Sequence, residues 1–329
     1  MVRFVLILLA VALGTAHAQT LDKVRFGTNW LAEAEHGGFY QALADGTYKK
    51  YGLDVTIVPG GPNINNRILL PAGKLDFFMS ANSLQTFDAI ENNIPTVAVA
   101  ASFQKDPQVL IARPDVKSLD DLKKLTLFVS KEGIVTYFQW LKAEHGFDEK
   151  KVKPYTFNAQ PFLADKNSAT EGYVTSEPYV IEKQAGFKPS VFLLADYGFN
   201  SYSTLIETRR DLVEKRPDLV QRFVEASAVG WYHYLYGDSR LGNALIKRDN
   251  PEMTDALIAY SVENLKRYGI VNSGDTLKLG IGAMTDARVE SFFDKMARAG
   301  VVDRAVDFRK AYTPQFVDKG VGTDLRPKH

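Results

Sequence analysis

Residues 24–58 read VRFGTNWLAEAEHGGFYQALADGTYKKYGLDVTIV, and the fold turns on this stretch. Val24–Thr28 has the composition of a short strand, His36–Ala44 the spacing of a helix, and Leu53–Val58 is a second strand. Gly46 and Gly52 separate the elements, and Pro59-Gly60-Gly61-Pro62 closes the unit. The rhythm continues outward. A helix is predicted over Asn63–Leu70, a strand over Asp76–Ser80, a helix over Ser83–Glu91, and strands over Thr96–Ala101 and Gln108–Ala112. It restarts with a helix at Ser118–Lys124, a strand at Leu125–Val129, a helix at Glu132–His145 and a strand near Tyr155–Phe157. A helix near Pro161–Lys166, a strand near Gly172–Thr175, the helix Glu177–Ala185 and the strand Val191–Ala195 follow. Strands alternating with helices indicate an α/β fold built on parallel layers. After a strand at Ser203–Glu207 the chain turns helical, over Arg216–Tyr236, Ala256–Tyr268 and Gly282–Gly300. The expected layout is a discontinuous lobe of residues 19–109 and 196–329, with a second lobe, residues 110–195, inserted. Strands near Gln108–Ala112 and Val191–Ala195 would cross between the lobes as a hinge, and ligand would sit between them.

The termini and composition narrow the setting. Met1-Val2-Arg3 precedes ten unbroken apolar residues, Phe4–Leu13, and then Ala16-His17-Ala18. That is the pattern of a cleaved export signal, residues 1–18, and the run is too short to span a bilayer. Cleavage would remove Arg3 and take the formal charge from +1 to zero. A balanced charge argues against a nucleic-acid partner bound through phosphate neutralisation. The chain has no cysteine, which excludes disulfides, thiolate metal sites, a cysteine nucleophile and a lipidated N-terminal cysteine. With the export signal, this places the expected protein free in a periplasm.

Candidate ligand residues cluster after the predicted strands, where open α/β sheets collect ligands. Asn29 and Trp30 follow the first strand, and Trp30 offers a flat platform with one N–H donor. His36 opens the next helix beside two glycines; the alternatives are that Trp30 plugs the lobe and His36 caps the helix. The loop at 59–63 lacks the Gly-Lys-Ser/Thr ending of a phosphate loop and reads as a tight turn. Ser80 and Asn82 stand before a helix start, where they would receive a ligand or cap the helix. Gln104 follows a strand expected to end at the cleft, and Tyr173 and Tyr197 are further candidate aromatics. Glu177, beside Pro178, would cap its helix or accept charge-assisted hydrogen bonds from an amine or amidine. Catalytic patterns are missing. The five histidines are scattered, and no G-x-S-x-G, H-E-x-x-H or D-x-D-x-D-G run occurs. Neither a metal nor a cofactor is expected. The run Trp231–Tyr236 has the spacing of a helix core.

Taken in order, several motifs resemble the solute-binding proteins of ABC importers that take nitrate, sulfonates, taurine and thiamine-precursor pyrimidines. They are Asn29-Trp30 with His36-Gly37-Gly38-Phe39-Tyr40, Gly46–Val55, Ala72–Phe77, Glu177-Pro178 and Arg216–Phe223. The resemblance covers the whole predicted mature chain. It implies the type II periplasmic-binding-protein fold, with two Rossmann-like lobes joined by two hinge strands, a monomer, and a membrane permease as partner. Anion binders of this family carry glycine followed by a hydroxyl residue at the second-lobe helix start. Here that position reads Lys131-Glu132-Gly133-Ile134-Val135, and Glu132 would repel an anion. Trp30, His36 and Glu177 are similar to the pyrimidine branch. Its eukaryotic synthases use a cysteine-containing motif that this chain lacks. The expected function is capture of a small planar nitrogenous nutrient. Trp30 with Tyr173 or Tyr197 would sandwich the ring, Glu177 would accept its amine, and Asn29, His36, Ser80, Asn82 and Gln104 would orient polar edges. A sulfonate, taurine or nitrate receptor, an exported enzyme with His36 as base, and a ligand-sensing partner of a membrane receptor are the rival readings.

Overall fold

A computed structural model describes residues 20–62 and 64–327. The predicted export signal, Asn63 and His329 lie outside the described residues. Ten strands form two five-stranded sheets. The first contains β1 (Asp22–Gly27), β2 (Leu53–Val58), β3 (Phe77–Asn82), β4 (Thr96–Phe103) and, from far along the chain, β10 (Ser203–Arg209). Its order is β2-β1-β3-β10-β4. The second contains β5 (Gln108–Ala112), β6 (Thr126–Val129), β7 (Val152–Pro154), β8 (Ser168–Tyr173) and β9 (Ser190–Leu193), in the order β7-β6-β8-β5-β9.

Both sheets are mixed rather than wholly parallel. β1 pairs parallel with β2 and β3, but β10 runs antiparallel between β3 and β4. In the second sheet β6 is parallel to β7 and β8, while β5 is antiparallel to β8 and β9. The chain passes between the sheets twice, at residues 104–107 just before β5 and at 194–202 just after β9. β5 and β9 pair with each other inside the second sheet, so the passages are the segments beside those strands.

The helical C-terminal half covers the first sheet. The long helix Pro217–Tyr236 lies on the helix Gly37–Ala44 at very close range. A Cβ on Gly230 would come within 2.3 Å of the Gly38 carbonyl oxygen, so the contact depends on a residue without a side chain. Phe223 of that helix stacks on Phe77 at 4.1 Å between ring centroids and meets Tyr48 and Phe26 at 5.4 Å each. Fully burying such a side chain is worth roughly 1.5–3 kcal/mol, so this aromatic knot anchors the first strand and the loop that follows it.

Several predicted boundaries move. The helix expected over 63–70 is a single 3₁₀ turn, Asn66–Leu69, whose Asn66 amide holds the carbonyls of Thr28 and Val58. The helix expected over Glu132–His145 breaks at Thr136 into Lys131–Val135 and Tyr137–His145. β3 runs two residues past its expected end at Ser80, to Asn82, and so takes in the start of the expected loop.

Candidate ligand-binding cleft

The loop after β1 is braced from three sides. The Thr28 hydroxyl and the Gly60 N–H both donate to the Trp30 carbonyl, at 2.8 and 3.0 Å. The Asn250 amide donates to the Ala32 carbonyl at 2.8 Å. These bonds hold Trp30 and a 3₁₀ turn, Ala34–His36, at the carboxyl end of β1. Trp30 meets Phe157 of the second lobe at 4.5 Å between centroids, and Phe157 in turn lies 5.4 Å from Tyr155. Phe157 has φ of 61°, unusual for a bulky residue, and its ring is half exposed. Trp30 therefore faces Phe157, not the Tyr173 or Tyr197 expected from the sequence.

The two lobes also bring carboxylates together. Glu33 and Glu35 come from the loop after β1, Asp106 from the first passage, Glu171 from β8 and Glu177 from the start of the helix Glu177–Ala185 that follows it. Glu35 is 2% exposed and neither of its carboxylate oxygens has a hydrogen-bond partner. Burial pushes its carboxyl up to about 7 with help from the charge of Glu177, against the opposing pull of the nearby Thr175 hydroxyl and its own backbone N–H. Burial, Glu35 and Glu177 hold Glu33 well above the usual carboxylate range. Asp106 is pushed up to about 7 by burial and by Glu132, although the Gln108 N–H and Asn82 oppose the shift. Glu171 is raised mainly by burial; the Tyr137 hydroxyl, which donates to it at 2.6 Å, pulls the other way. A Cβ on Gly133 would lie 2.6 Å from that same carboxylate, so glycine is required where the helix start meets it. Tyr173 is half buried among Asp106, Glu132, Glu33 and Glu35, and burial and these charges raise its hydroxyl well above its usual value. Among the described residues no lysine or arginine makes an ion pair with any of these six carboxylates; His36 Nε2 lies 3.5 Å from the Glu33 carboxylate, and with its ring neutral that contact is not an ion pair. Arg67 contributes at longer range, to Glu132 at the rim.

The candidates from sequence divide. Asn29 and Trp30 sit on the loop that carries Glu33 and Glu35, and Tyr173 and Glu177 face those carboxylates from the second lobe; the Asn29 side-chain oxygen is buried without a partner. Glu177 also serves its own turn, accepting from the Tyr173 N–H at 2.7 Å and the Ser176 hydroxyl at 2.5 Å. Asn82 caps its helix through the Leu84 N–H at 3.1 Å and also reaches Asp106. His36 is fully buried, both ring nitrogens lack hydrogen bonds, and burial pushes it down to about 3. The ring is neutral and a poor base. Three candidates have other neighbours. Ser80 sits within β3 opposite Leu205, its hydroxyl beside Glu207. The Gln104 amide is used at both ends, donating to the Ala283 carbonyl and accepting from Arg288, so it secures the passage. Tyr197 is 41% exposed and packs on Phe192 outside the cluster. Sequence reading missed Glu33, Glu35, Glu171 and Phe157. The signal for the first two is the run Ala32-Glu33-Ala34-Glu35, acidic residues interleaved with small apolar ones, a pattern that buries the carboxylates with their neighbours.

The NMT1/THI5-like family profile matches residues 33–237, more than half of the chain and all but the first part of the cleft. The chain belongs to the NMT1/THI5-like family. A riboflavin-binding protein, RibY, of Chloroflexus aurantiacus is 24% identical over 325 residues, covering 92% of this chain and 88% of its own length. Among solved structures, the periplasmic aliphatic sulphonate-binding protein SsuA of Escherichia coli superposes with a TM-score of 0.65. That likeness has 15% identity and covers 88% of this chain and 91% of the other. The desulfurization enzyme DszB superposes with a TM-score of 0.55 at 14% identity, over 90% of this chain and 97% of the other. At these identities the structures establish the fold, that of periplasmic binding proteins.

Proposed function

We propose that the chain is an exported solute receptor that captures a small planar nitrogenous nutrient between its lobes and delivers it to an ABC permease. A pyrimidine resembling a thiamine precursor fits this description. The observation that carries the reading is the Trp30–Phe157 pair, one ring from each lobe, together with the hydrogen-bond acceptors that the two lobes assemble. Parting the two rings opens a slot for a flat heterocycle, and stacking adds about 0.5–1.5 kcal/mol beyond area burial. Ring N–H and amino groups would meet Asn29, Glu35 and Glu177. Ligand would stabilise the closed arrangement by binding it better than the open one. The acidic cluster disfavours a sulfonate, and the low basicity of His36 disfavours an enzyme that uses it as a base. The family membership, the fold and a riboflavin-binding relative, whose ligand is also planar and nitrogenous, support the receptor reading. The residues before position 19 support export to a periplasm, and a monomer suffices because both lobes come from one chain.

Calorimetric titration with formylaminopyrimidine, riboflavin, taurine and an alkanesulfonate tests the proposal. Binding of the formylaminopyrimidine, whose ring can take up a proton, weakened up to about tenfold by Trp30→Ala, is expected. Binding of the sulfonate alone would overturn it, as would turnover of a bound heterocycle that His36→Ala abolishes without loss of binding.

A further inference from the structure

We propose that the nutrient is an organic cation, and that its positive charge is what permits the lobes to close. This rests on the receptor reading above and adds the charge of the ligand to it.

Closure brings like charges together. Glu33 and Glu35 belong to the first lobe, Glu171 and Glu177 to the second, and Asp106 lies on the passage between them. Each first-lobe carboxylate feels Glu177 directly. The second observation is independent of the cluster. Glu35 is buried to 2% exposure with no close hydrogen bond to either oxygen; the neutral hydroxyls of Thr175, the one donor within reach, and of Tyr234 stand nearby, and neither brings a charge. A buried carboxylate with no close hydrogen bond has a high free-energy cost. A protonated amine or amidine placed there supplies donors and charge together, which neutral or anionic ligands do not.

Among the described residues, no lysine or arginine forms an ion pair with Glu35. Its own turn holds Glu33 and the neutral His36. β8 brings Tyr173, the helix that follows it Glu177, and the long helix Tyr234. The helix Asp255–Arg267, packed on the same turn, presents hydroxyls here: Ser261 donates to the Thr175 carbonyl at 2.7 Å and Tyr260 to the Val174 carbonyl at 3.4 Å. Metal ions are not the fit, since among the described residues no group of three acidic or histidine side chains converges as metal ligands do. The charge would come from an organic cation whose several donors are spread over its own frame.

Two measurements on the full chain test this. The first is thermal shift with benzamidine, benzamide and benzoate, flat rings of nearly one shape carrying charges of +1, 0 and −1. Benzamidinium should raise the melting temperature most, and Glu35→Gln should reduce that shift. An equal or larger shift with benzamide or benzoate, or none with benzamidinium, overturns the proposal. The second is solution X-ray scattering of the ligand-free protein. Its radius of gyration should fall as pH is lowered from about 8 to 5, and Glu35→Gln should be more compact than wild type at pH 8. A radius independent of both overturns the proposal. Tight binding of a neutral heterocycle would remove the charge assignment and leave the receptor reading intact. Chemical conversion of benzamidine or of a bound heterocycle would remove the receptor reading and leave the charge assignment standing.

Discussion

At the scale of single residues, Glu35 and Asp106 set the pH behaviour of the protein. Both titrate near 7 in the folded chain, against 4.5 and 3.8 for the ordinary side chains. Between those values the folded state holds protons that the unfolded state has released. Their contribution to stability is therefore complete at low pH and is lost as pH rises through about 7. The melting temperature of the ligand-free protein is expected to fall between about pH 5 and 7.5, and Glu35→Gln should flatten that slope while Asp106 retains part of it. A differential scanning series over pH reads both effects, and an unchanged slope in the variant would show that Glu35 is ionised in the folded chain. The sequence displayed Trp30 and Glu177 because their types and loop positions are distinctive. It hid Glu35, because a glutamate between small residues looks the same whether it faces solvent or a second lobe more than a hundred residues away.

At the scale of elements, the helix pair Gly37–Ala44 and Pro217–Tyr236 positions the cleft, since the first of these begins where the Glu35 turn ends. Its close approach makes Gly230 a sensitive position. Gly230→Ala would drive a methyl group against the Gly38 carbonyl and the Ala42 side chain. Overpacking of this kind costs about 1–3 kcal/mol, so urea unfolding should show a lower midpoint with the same slope. A variant as stable as wild type would mean that the helices can separate freely. The long helix was legible from its 3.6-residue spacing, and β1, β2 and β10 from their β-rich runs. The break at Thr136 was not, because nothing local forbids a continuous helix there; the Ser130 cap and the contact of Gly133 with Glu171 fix the first segment, and the second starts afresh. The end of β3 was set too early for a similar reason. β10, arriving from 120 residues further on, pairs with β3 as far as Asn82 and converts the expected loop into strand.

At the scale of the whole molecule, side chains from both lobes meet across the cleft. Trp30 meets Phe157, the Gln85 amide donates to Glu132 at 2.7 Å, and Tyr179 lies 5.2 Å from Tyr260 between ring centroids, while Lys105 and Asp196, 3.3 Å apart, tie the two passages together. A double-mutant cycle on Trp30→Ala and Phe157→Ala should return a coupling of about 0.5–1.5 kcal/mol, measured by chemical unfolding. Zero coupling would place the rings apart in solution. The two-lobe plan followed from alternation of elements alone, whereas the side chains that join the lobes depend on how the halves are set against each other, which no local pattern encodes. The helix Asp255–Arg267 adds a mechanical consequence. It packs with the first lobe, yet its Ser261 and Tyr260 grip the carbonyls of Val174 and Thr175, and the Val174 N–H is bonded to Pro107 beside the first passage. That corner would act as a fulcrum if the second lobe rotates, since its hydrogen bonds tie the lobes at one point. On the receptor reading proposed above, the Trp30–Phe157 contact, made by other elements, would then be where the lobes part to admit a solute.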